Sequence, residues 1–289
     1  MEVINKNKIA GVVIAYNPGS SIVNNIQSYL NQIGFLYIID NSLKSNDQIF
    51  SCFNSTSKIS YLPQNKNIGV SAALNKAAVL SVQKGFKYLL TMDQDSRITE
   101  GMIEKMLLID QDLEKIGIIT PFFVNKYETQ TIPKQPYSRI LMEKTSGNLL
   151  NLEIYKKVGP FNEDFFIDYV DIEYCLRLNI SGYEMIQANS AFLIHNEGAL
   201  SERKFFFRKV YVWNHNPLRW FYKIRNLFYL RDLYIQNFPD FFKKEYKFYI
   251  KHFIKILLYE DKKFEKFKYI IKGYMAYRRK LVGIYDAAA

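Results

Sequence analysis

Short apolar segments alternate with helical patterns through the first half of this 289-residue chain. Five segments rich in Ile, Val, Leu and aromatic residues have the length of buried strands: residues 9–16, 35–40, 59–63, 88–93 and 117–124. Between them, residues 20–32, 69–84 and 99–115 have helical spacing, with Thr99 as the candidate N-cap of the third helix. This alternation predicts an α/β fold with a parallel, doubly wound sheet and helices on both faces.

The second half of the chain has a mixed pattern that becomes helical. Residues 139–145 and 183–194 are predicted to be extended, and residues 171–180 have helical spacing. A short helix is expected before Gly159. From residue 198 onwards the pattern predicts helices to the end of the chain, near residues 217–236, 240–259 and 264–280.

Charge divides the chain near residue 200. Residues 200–289 carry 21 Lys and Arg against 8 Asp and Glu, whereas residues 1–199 carry 18 and 20. The same C-terminal residues hold 25 of the 46 aromatic side chains. A basic, aromatic block is typical of surfaces that bind phosphates, either of a nucleic acid or of anionic lipids. The alternative is that Phe and Tyr form a helical core and Lys a solvated face.

Apolar run length and cysteine content indicate where in the cell the protein is located. No segment approaches the roughly 18 uninterrupted apolar residues of a membrane-spanning helix. The two cysteines, Cys52 and Cys175, form neither a disulfide framework nor a zinc cluster, which indicates a reducing cytosol.

Polar residues follow four of the predicted strands. In an open parallel sheet, ligands bind outside the carboxyl ends of the strands, so these residues are the first candidates for a site. They are Tyr16-Asn17, Asp40-Asn41-Ser42, residues 64–69, and Asp93-Gln94-Asp95-Ser96.

Asp93 and Asp95 predict a metal site. Two carboxylates at one strand end repel each other unless a cation lies between them, and Mg²⁺ or Mn²⁺ would also bridge to a diphosphate. The alternative is that Asp95 caps the following helix. Gly69 opens a helix and would let a ligand approach free backbone N–H groups, although an ordinary loop-to-helix transition has the same pattern. Dinucleotide and P-loop fingerprints are absent from the sequence.

Three further acids lie at the predicted start of a helix. Asp168 and Asp171 are three residues apart and could share a face, whereas Glu173 points elsewhere. A carboxylate here could act as a general base towards a hydroxyl group, or the acids could simply stabilise the helix dipole. His195 ends an extended segment, where a single histidine is more often structural than a ligand.

The order of these motifs resembles that of glycosyltransferase family 2, whose members are inverting enzymes with the GT-A fold, and within it the bacterial rhamnosyltransferases of surface-polysaccharide assembly. The resemblance covers about residues 9–235. Its matching pieces are VVIAYNP at 12–18, IIDNS at 38–42, QNKNIGVSAALNKA at 64–77, LLTMDQDS at 89–96, TSGNLL at 145–150, FFIDYVDIEYCLRLNISGY at 165–183, IHNEG at 194–198, and the stretch 217–230 with Arg225-Asn226.

The resemblance implies a role for each motif. Asp171 resembles the catalytic base, and Asp95 resembles the direct metal ligand. Val170 stands where the family more often has a first acid, and Asp168 is a candidate to supply that charge. The remaining implied roles are nucleotide binding by Tyr16, Asn17, Asp40, Asn67, Gly69 and Asp93, and contact with donor or acceptor by Gly147, Asn148, Asp168 and His195.

The resemblance also implies a reaction and a location. The expected enzyme is metal-dependent, uses Mg²⁺ or Mn²⁺, and moves L-rhamnose from dTDP-rhamnose to a hydroxyl of a lipid-linked or growing cell-surface glycan such as an O-antigen, capsule or cell-wall polymer. It would be cytoplasmic and peripheral on the cytoplasmic face of the membrane, held there by residues 201–289. The expected division is a GT-A catalytic domain at 1–200, with a nucleotide-binding part at about 1–125 and an acceptor part at about 126–200, followed by a helical, basic region at 201–289.

Three alternatives remain open at this point. The donor could be another nucleotide sugar, carrying a hexose, galactofuranose or an N-acetylhexosamine. A nucleotidyltransferase also combines a metal with paired acids, but it would release pyrophosphate. A nucleic-acid-binding protein would use the basic aromatic region, although it leaves the acids at the strand ends unexplained.

Overall fold

The protein is described here from a computed structural model, which covers residues 5–109, 112–124, 131–195, 201–205, 208–212 and 214–285. The strands are β1 (Ile9–Ala15), β2 (Phe35–Asp40), β3 (Ile59–Pro63), β4 (Tyr88–Asp93), β5 (Ser96–Ile98), β6 (Ile116–Val124), β7 (Tyr137–Ile140), β8 (Asn148–Asn151), β9 (Glu184–His195), β10 (Ser201–Phe205) and β11 (Arg208–Val212). The helices are α1 (Ser21–Leu30), α2 (Asp47–Phe50), α3 (Gly69–Gln83), α4 (Met102–Leu107), α5 (Leu152–Val158), α6 (Val170–Ile180), α7 (Pro217–Tyr234), α8 (Pro239–Tyr259) and α9 (Lys263–Arg278).

One twisted sheet contains β1 to β9, in the order β3-β2-β1-β4-β8-β6-β9-β5. Strand β5 pairs with residues 193–195 of β9, and β7 pairs with residues 185–188 of the same strand. The pairs β3-β2, β2-β1, β1-β4 and β6-β9 are parallel. Strands β5, β7 and β8 run in the opposite direction. The prediction of an α/β fold with a mostly parallel sheet is therefore confirmed, and the antiparallel pairs are those of the short strands β5, β7 and β8.

Apolar residues of the central strands form the core of this sheet. Val13, Leu36, Ile38 and Leu90 are completely buried there together with side chains of α1 and α4. Helix α3 packs on β1, β2 and β4, and α4 packs on β6 and β9. Burial on both faces explains why these strands have almost continuous apolar sequences.

Two local predictions are wrong. Thr99 does not cap a helix, since its hydroxyl donates to the carbonyl of Phe192, and α4 begins after Gly101, whose left-handed φ of 67° suits glycine. The sequence pattern predicts helices from residue 198 onwards, but β10 and β11 pair as antiparallel strands. The β-branched and aromatic run Val210-Tyr211-Val212 favours a strand.

Contacts divide the chain into two compact units. The first contains Met1–Glu163 and Asp171–Asn196, and the second contains Asp164–Val170 and Glu197–Ala289. The short segment Asp164–Val170 thus belongs with the C-terminal helices, although it lies inside the predicted 1–200 domain. In the second unit, α7 packs closely along α9. Within the described residues, no helix has both the length and the apolar character needed to cross a membrane.

Candidate active site

The carboxyl end of β1 is tied to the loop that follows β4. The backbone N–H of Tyr16 donates to Oε1 of Gln94 at 2.9 Å, and the Gln94 amide donates back to the Tyr16 carbonyl at 3.4 Å. The N–H of Asn17, at a left-handed φ of 45°, donates to the Ser42 hydroxyl at 2.8 Å. The Tyr16 side chain remains half-exposed. Three strand ends that the sequence predicts to lie together are therefore joined by hydrogen bonds.

Asp40 is the last residue of β2, and its buried carboxylate accepts hydrogen bonds from three groups. Its Oδ1 accepts from the Ser42 N–H at 3.0 Å, and its Oδ2 accepts from the Asn46 amide at 2.8 Å and the Tyr61 hydroxyl at 2.7 Å. Burial opposes ionisation, but the hydrogen bonds outweigh it and lower the pKa of Asp40. Asp40 is consequently a fixed negative charge at the edge of the site.

Asn41 connects the end of β2 to the start of α3. Its Nδ2 donates to the Gly69 carbonyl at 3.0 Å, while among the described residues no donor reaches its buried Oδ1. The Gly69 N–H donates to Oδ1 of Asn67 at 2.9 Å, and Gly69 has a φ of 85°. This N–H is therefore engaged by the chain itself.

Asp93 is the last residue of β4, and Asp95 precedes β5. The Asp93 N–H donates to the Ser146 hydroxyl at 3.1 Å, which links the strand end to the loop before β8. Strand β5 pairs with β9 in a register that places Ser96 opposite His195. The backbone of His195 is thus brought next to the residue that follows Asp95.

A small pocket lies beside the β4–β8 pairing and contains Asp171. Gly147 leads into β8 with a φ of 80°, and its N–H donates to the Thr91 carbonyl at 2.6 Å. Asn148 is buried; its Nδ2 donates to the Lys144 carbonyl at 2.8 Å, while no described residue donates to its Oδ1. The lining residues are Thr91, Ile118, Thr145, Asn148, Leu150, Phe161, Asp171, Tyr174 and Cys175.

Asp171 is in the first turn of α6, where Oδ1 accepts from the N–H of Ile172 at 2.9 Å. The carboxyl group of Glu143 is close enough to Asp171 for their charges to interact. Burial raises the pKa of Glu143, and the negative charge of Asp171 acts in the same direction. Glu173 is engaged by Arg177 at 2.9 Å and is buried, which fits a structural ion pair within α6. Asp171 is therefore the acid of α6 that reaches the pocket.

Asp168 lies in the second unit and has cationic partners. Its carboxylate contacts Arg219 at 3.1 Å and Lys223 at 3.0 Å. Burial would raise its pKa, but these two charges lower the pKa of Asp168 to about 2. The sequence-based suggestion that Asp168 contacts donor or acceptor stays a prediction.

Asn41 and Gln94 are among the polar residues that the sequence places at the strand ends, but the sequence assigns them no role. The structure gives Gln94 its partner, Tyr16, which lies 78 residues away. Four further residues that organise the site are not candidates in the sequence and are identified only by their contacts in the fold: Asn46, Tyr61, Glu143 and Ser146.

A mostly parallel sheet with acids and amides at its strand ends, and a carboxylate at the start of a helix beside them, defines a glycosyltransferase of the GT-A fold. The chain belongs to glycosyltransferase family 2, whose match covers residues 12–165. It is similar to the dTDP-rhamnosyl transferase RfbF of Shigella flexneri, with 26% identity over 242 residues, 78% of this chain and 80% of the relative.

Two solved structures show the same fold at 12% identity. GalNAc-T7, with UDP, GalNAc and Mn²⁺, has a TM-score of 0.60; the match covers 81% of this chain and 50% of that one, so this chain spans half the length of its neighbour. Residues 1–349 of Staphylococcus aureus TarS, in complex with UDP-GlcNAc, have a TM-score of 0.50 over 92% of this chain and 71% of that one.

Proposed function

We propose that the protein transfers a sugar from a nucleotide donor to a hydroxyl group, with inversion at the anomeric carbon. The observation that carries this proposal is the pocket shared by Asp171 and Asn148, next to the strand that ends at Asp93. The Asp171 carboxylate is a suitable acceptor for the proton of a sugar hydroxyl. Family membership supports the reaction class.

Asp171 is proposed as the general base. It would take the proton from the acceptor hydroxyl as that oxygen attacks the anomeric carbon from the face opposite the departing diphosphate. A single displacement of this kind inverts the configuration. The proposed nucleotide contacts are Tyr16, Asn17, Asp40, Asn67, Gly69 and Asp93, and the proposed donor or acceptor contacts are Gly147, Asn148 and His195.

Asp93 and Asp95 are the proposed holders of a divalent metal. The described residues contain no group of three His, Cys, Asp or Glu side chains that could enclose a metal. Mg²⁺ commonly binds through one or two carboxylates together with substrate phosphates, so an Asp pair beside a diphosphate site fits this ion and Mn²⁺. When bound, the metal would neutralise the charge that develops on the leaving diphosphate.

L-Rhamnose from dTDP-rhamnose is the proposed donor, supported by the similarity to RfbF. The test is a panel of dTDP-L-rhamnose, UDP-glucose, UDP-galactofuranose and UDP-GlcNAc, with and without Mg²⁺ or Mn²⁺. We expect the fastest release of nucleoside diphosphate from dTDP-L-rhamnose, and loss of turnover after chelation. Faster turnover of another sugar would contradict the rhamnose assignment, and full activity after exhaustive chelation would contradict the metal assignment.

A second aspect of the proposal concerns location, because one side of α8 combines lysines with exposed aliphatic residues. Phe242, Tyr249 and Ile256 are buried on one side of the helix. On the opposite side, the C-terminal half exposes Ile250, Ile254, Leu257 and Leu258, each more than half-exposed. The same side carries four exposed lysines, Lys243, Lys244, Lys247 and Lys251. A helix with this composition is suited to lie in the interface of an anionic membrane. We propose that this face holds the enzyme at the membrane that carries its acceptor.

A further inference from the structure

The segment Asp164–Val170 has an unusual backbone. Asp168 and Tyr169 are consecutive residues with left-handed φ values of 60° and 66°. Residues with a Cβ atom rarely adopt this backbone conformation. Two such residues in succession are stable only where contacts with the rest of the fold stabilise them. The chain passes directly from this pair through Val170 into the first turn of α6, where Asp171 lies.

Side chains of α7 and α8 hold these two residues in place. The Asp168 side chain is 8% exposed and lies between the cationic groups of Arg219 and Lys223. The buried hydroxyl of Tyr169 donates to Glu245 at 2.6 Å and contacts the Tyr249 hydroxyl at 2.9 Å. The side chains of both left-handed residues are therefore held, Asp168 by α7 and Tyr169 by α8.

The backbone carbonyls of the same segment are also engaged. The amide of Asn226 donates to the carbonyls of Ile167 and Asp168 at 2.9 and 3.0 Å, and Asn226 is completely buried. The Arg225 guanidinium, 1% exposed, donates to the Asp164 carbonyl at 3.2 Å. The Oδ1 of Asn226 accepts from Nε of Arg225 at 3.0 Å, so both ends of this buried amide are engaged. Moving the segment would leave buried donors without acceptors, which costs free energy.

We infer that Asp168 and Asn226 are positioning residues, which hold this segment so that α6 presents Asp171 at a fixed place. The inference rests on the proposed function, because positioning Asp171 affects catalysis only if Asp171 is the general base. Asp168 then supports catalysis through the chain that leads to Asp171. A general base that is displaced by about 1 Å loses about a hundredfold in rate, so a small shift of the segment is sufficient.

The test uses Asp168→Asn, Asn226→Ala and Lys223→Met, with Asp240→Asn and Asn237→Ala as matched controls. Asp240 forms an exposed ion pair with Lys243, and Asn237 is exposed in the same unit. Turnover is measured with the nucleotide sugar that the wild-type chain uses fastest in the panel above. We expect kcat to fall tenfold to a hundredfold in the first three variants, with KM for the donor changed less than twofold. Lys223→Arg, which keeps the charge, should stay within threefold of wild type.

Hydrogen exchange gives a readout that does not need turnover. Amides of residues 164–171 should exchange at least tenfold faster in Asp168→Asn and Asn226→Ala than in the controls. Unchanged exchange, or unchanged kcat in variants that fold, would overturn the inference. If a variant fails to fold, Lys223→Met against Lys223→Arg decides, since Lys223 is partly exposed. Asp171→Asn separates the two proposals: an active Asp171→Asn contradicts the base assignment, whereas an inactive one beside fully active Asp168→Asn and Asn226→Ala contradicts only the positioning role.

Discussion

Asp171 and Asp168 are three residues apart, yet they have different surroundings. Asp171 lines a pocket of the first unit, near the carboxyl of Glu143. Asp168 belongs to the second unit and faces two cations. A carboxylate between two cations is held ionised. The two acids therefore have separable effects on activity and on stability.

Asp171→Asn should abolish transfer and leave binding of the donor nucleotide unchanged, because the amide keeps the size of the side chain but cannot accept a proton. Turnover and nucleotide affinity by calorimetry measure the two effects. Asp112→Asn, at an exposed acid of the first unit, is the control and should behave like wild type. Transfer by Asp171→Asn at the wild-type rate would rule out the base role.

Asp168 should make stability depend on acidic pH. Its pKa in the folded chain is about 2, below the value of about 3.9 for an unfolded Asp. The carboxylate therefore stabilises the fold by about 2 kcal/mol above pH 5, and this contribution is lost as the pH falls towards 2. Urea unfolding at pH 6, 4 and 3 should show a steeper decline for wild type than for Asp168→Asn. Parallel declines would contradict this assignment, and Asp240→Asn should retain the wild-type slope.

The sequence predicts candidate site residues because of one topological fact: the ends of parallel strands lie at the same edge of a sheet. Asp40, Asp93 and Asn17 follow from it directly. Their partners do not, since whether Gln94 reaches Tyr16 depends on side-chain geometry between residues 78 apart. The sequence does not predict the cations beside Asp168 either, because Arg219 and Lys223 cannot be distinguished from the other basic residues of the C-terminal region.

Among the secondary-structure elements, long apolar strands were predictable and short strands were not. Strands β1, β2, β4 and β6 have runs of buried residues, and the partly buried β3 has an apolar sequence of similar length to β2. Strand β8 is only four residues long, Asn-Leu-Leu-Asn, and it pairs antiparallel with both neighbours. Its place between β4 and β6 is decided by contacts that adjacent residues do not encode. Helix α4 is shorter than its pattern, since it starts after Gly101 and ends at Leu107.

Helices α7 and α9 depend on a close approach at Gly273. A Cβ on this residue would meet the backbone of Phe221, including its carbonyl oxygen and Cα. Backbone atoms cannot rotate away, so Gly273→Ala should destabilise the second unit by about 2 kcal/mol through overpacking. Thermal unfolding measures the loss. Gly19→Ala, where the new methyl group meets only the Ser21 hydroxyl at 4.0 Å, should change stability little. Equal unfolding temperatures for both variants would contradict the close packing.

For the whole molecule, the net charge of +11 is a property of the C-terminal residues. The α8 face combines that charge with exposed aliphatic side chains, and each contribution has its own signature. Attraction of lysines to anionic lipids weakens with salt because charges are screened, whereas burial of leucine does not.

Sedimentation with vesicles tests this location. The chain should bind phosphatidylglycerol vesicles more strongly than phosphatidylcholine vesicles, and less at 0.5 M than at 0.05 M salt, about a tenfold range of ionic strength. Leu257→Ser with Leu258→Ser should weaken binding about tenfold or more, since burying one leucine contributes about 2 kcal/mol. Leu108→Ser, at an exposed leucine of the first unit, is the control. Equal binding by the double variant and the control would exclude the α8 face.

The segment Asp164–Val170 also has a consequence for how the protein is made. Its partners in α7 and α8 come 51 to 80 residues later in the chain. At about 5–20 residues per second, synthesis of those partners takes several seconds after Asp168 has been joined. During that interval the sheet can form, but the two left-handed residues have nothing to hold them. The segment that leads into Asp171 therefore acquires its partners last, and a chain released before α8 would lack the hydroxyl and carboxylate that hold Tyr169.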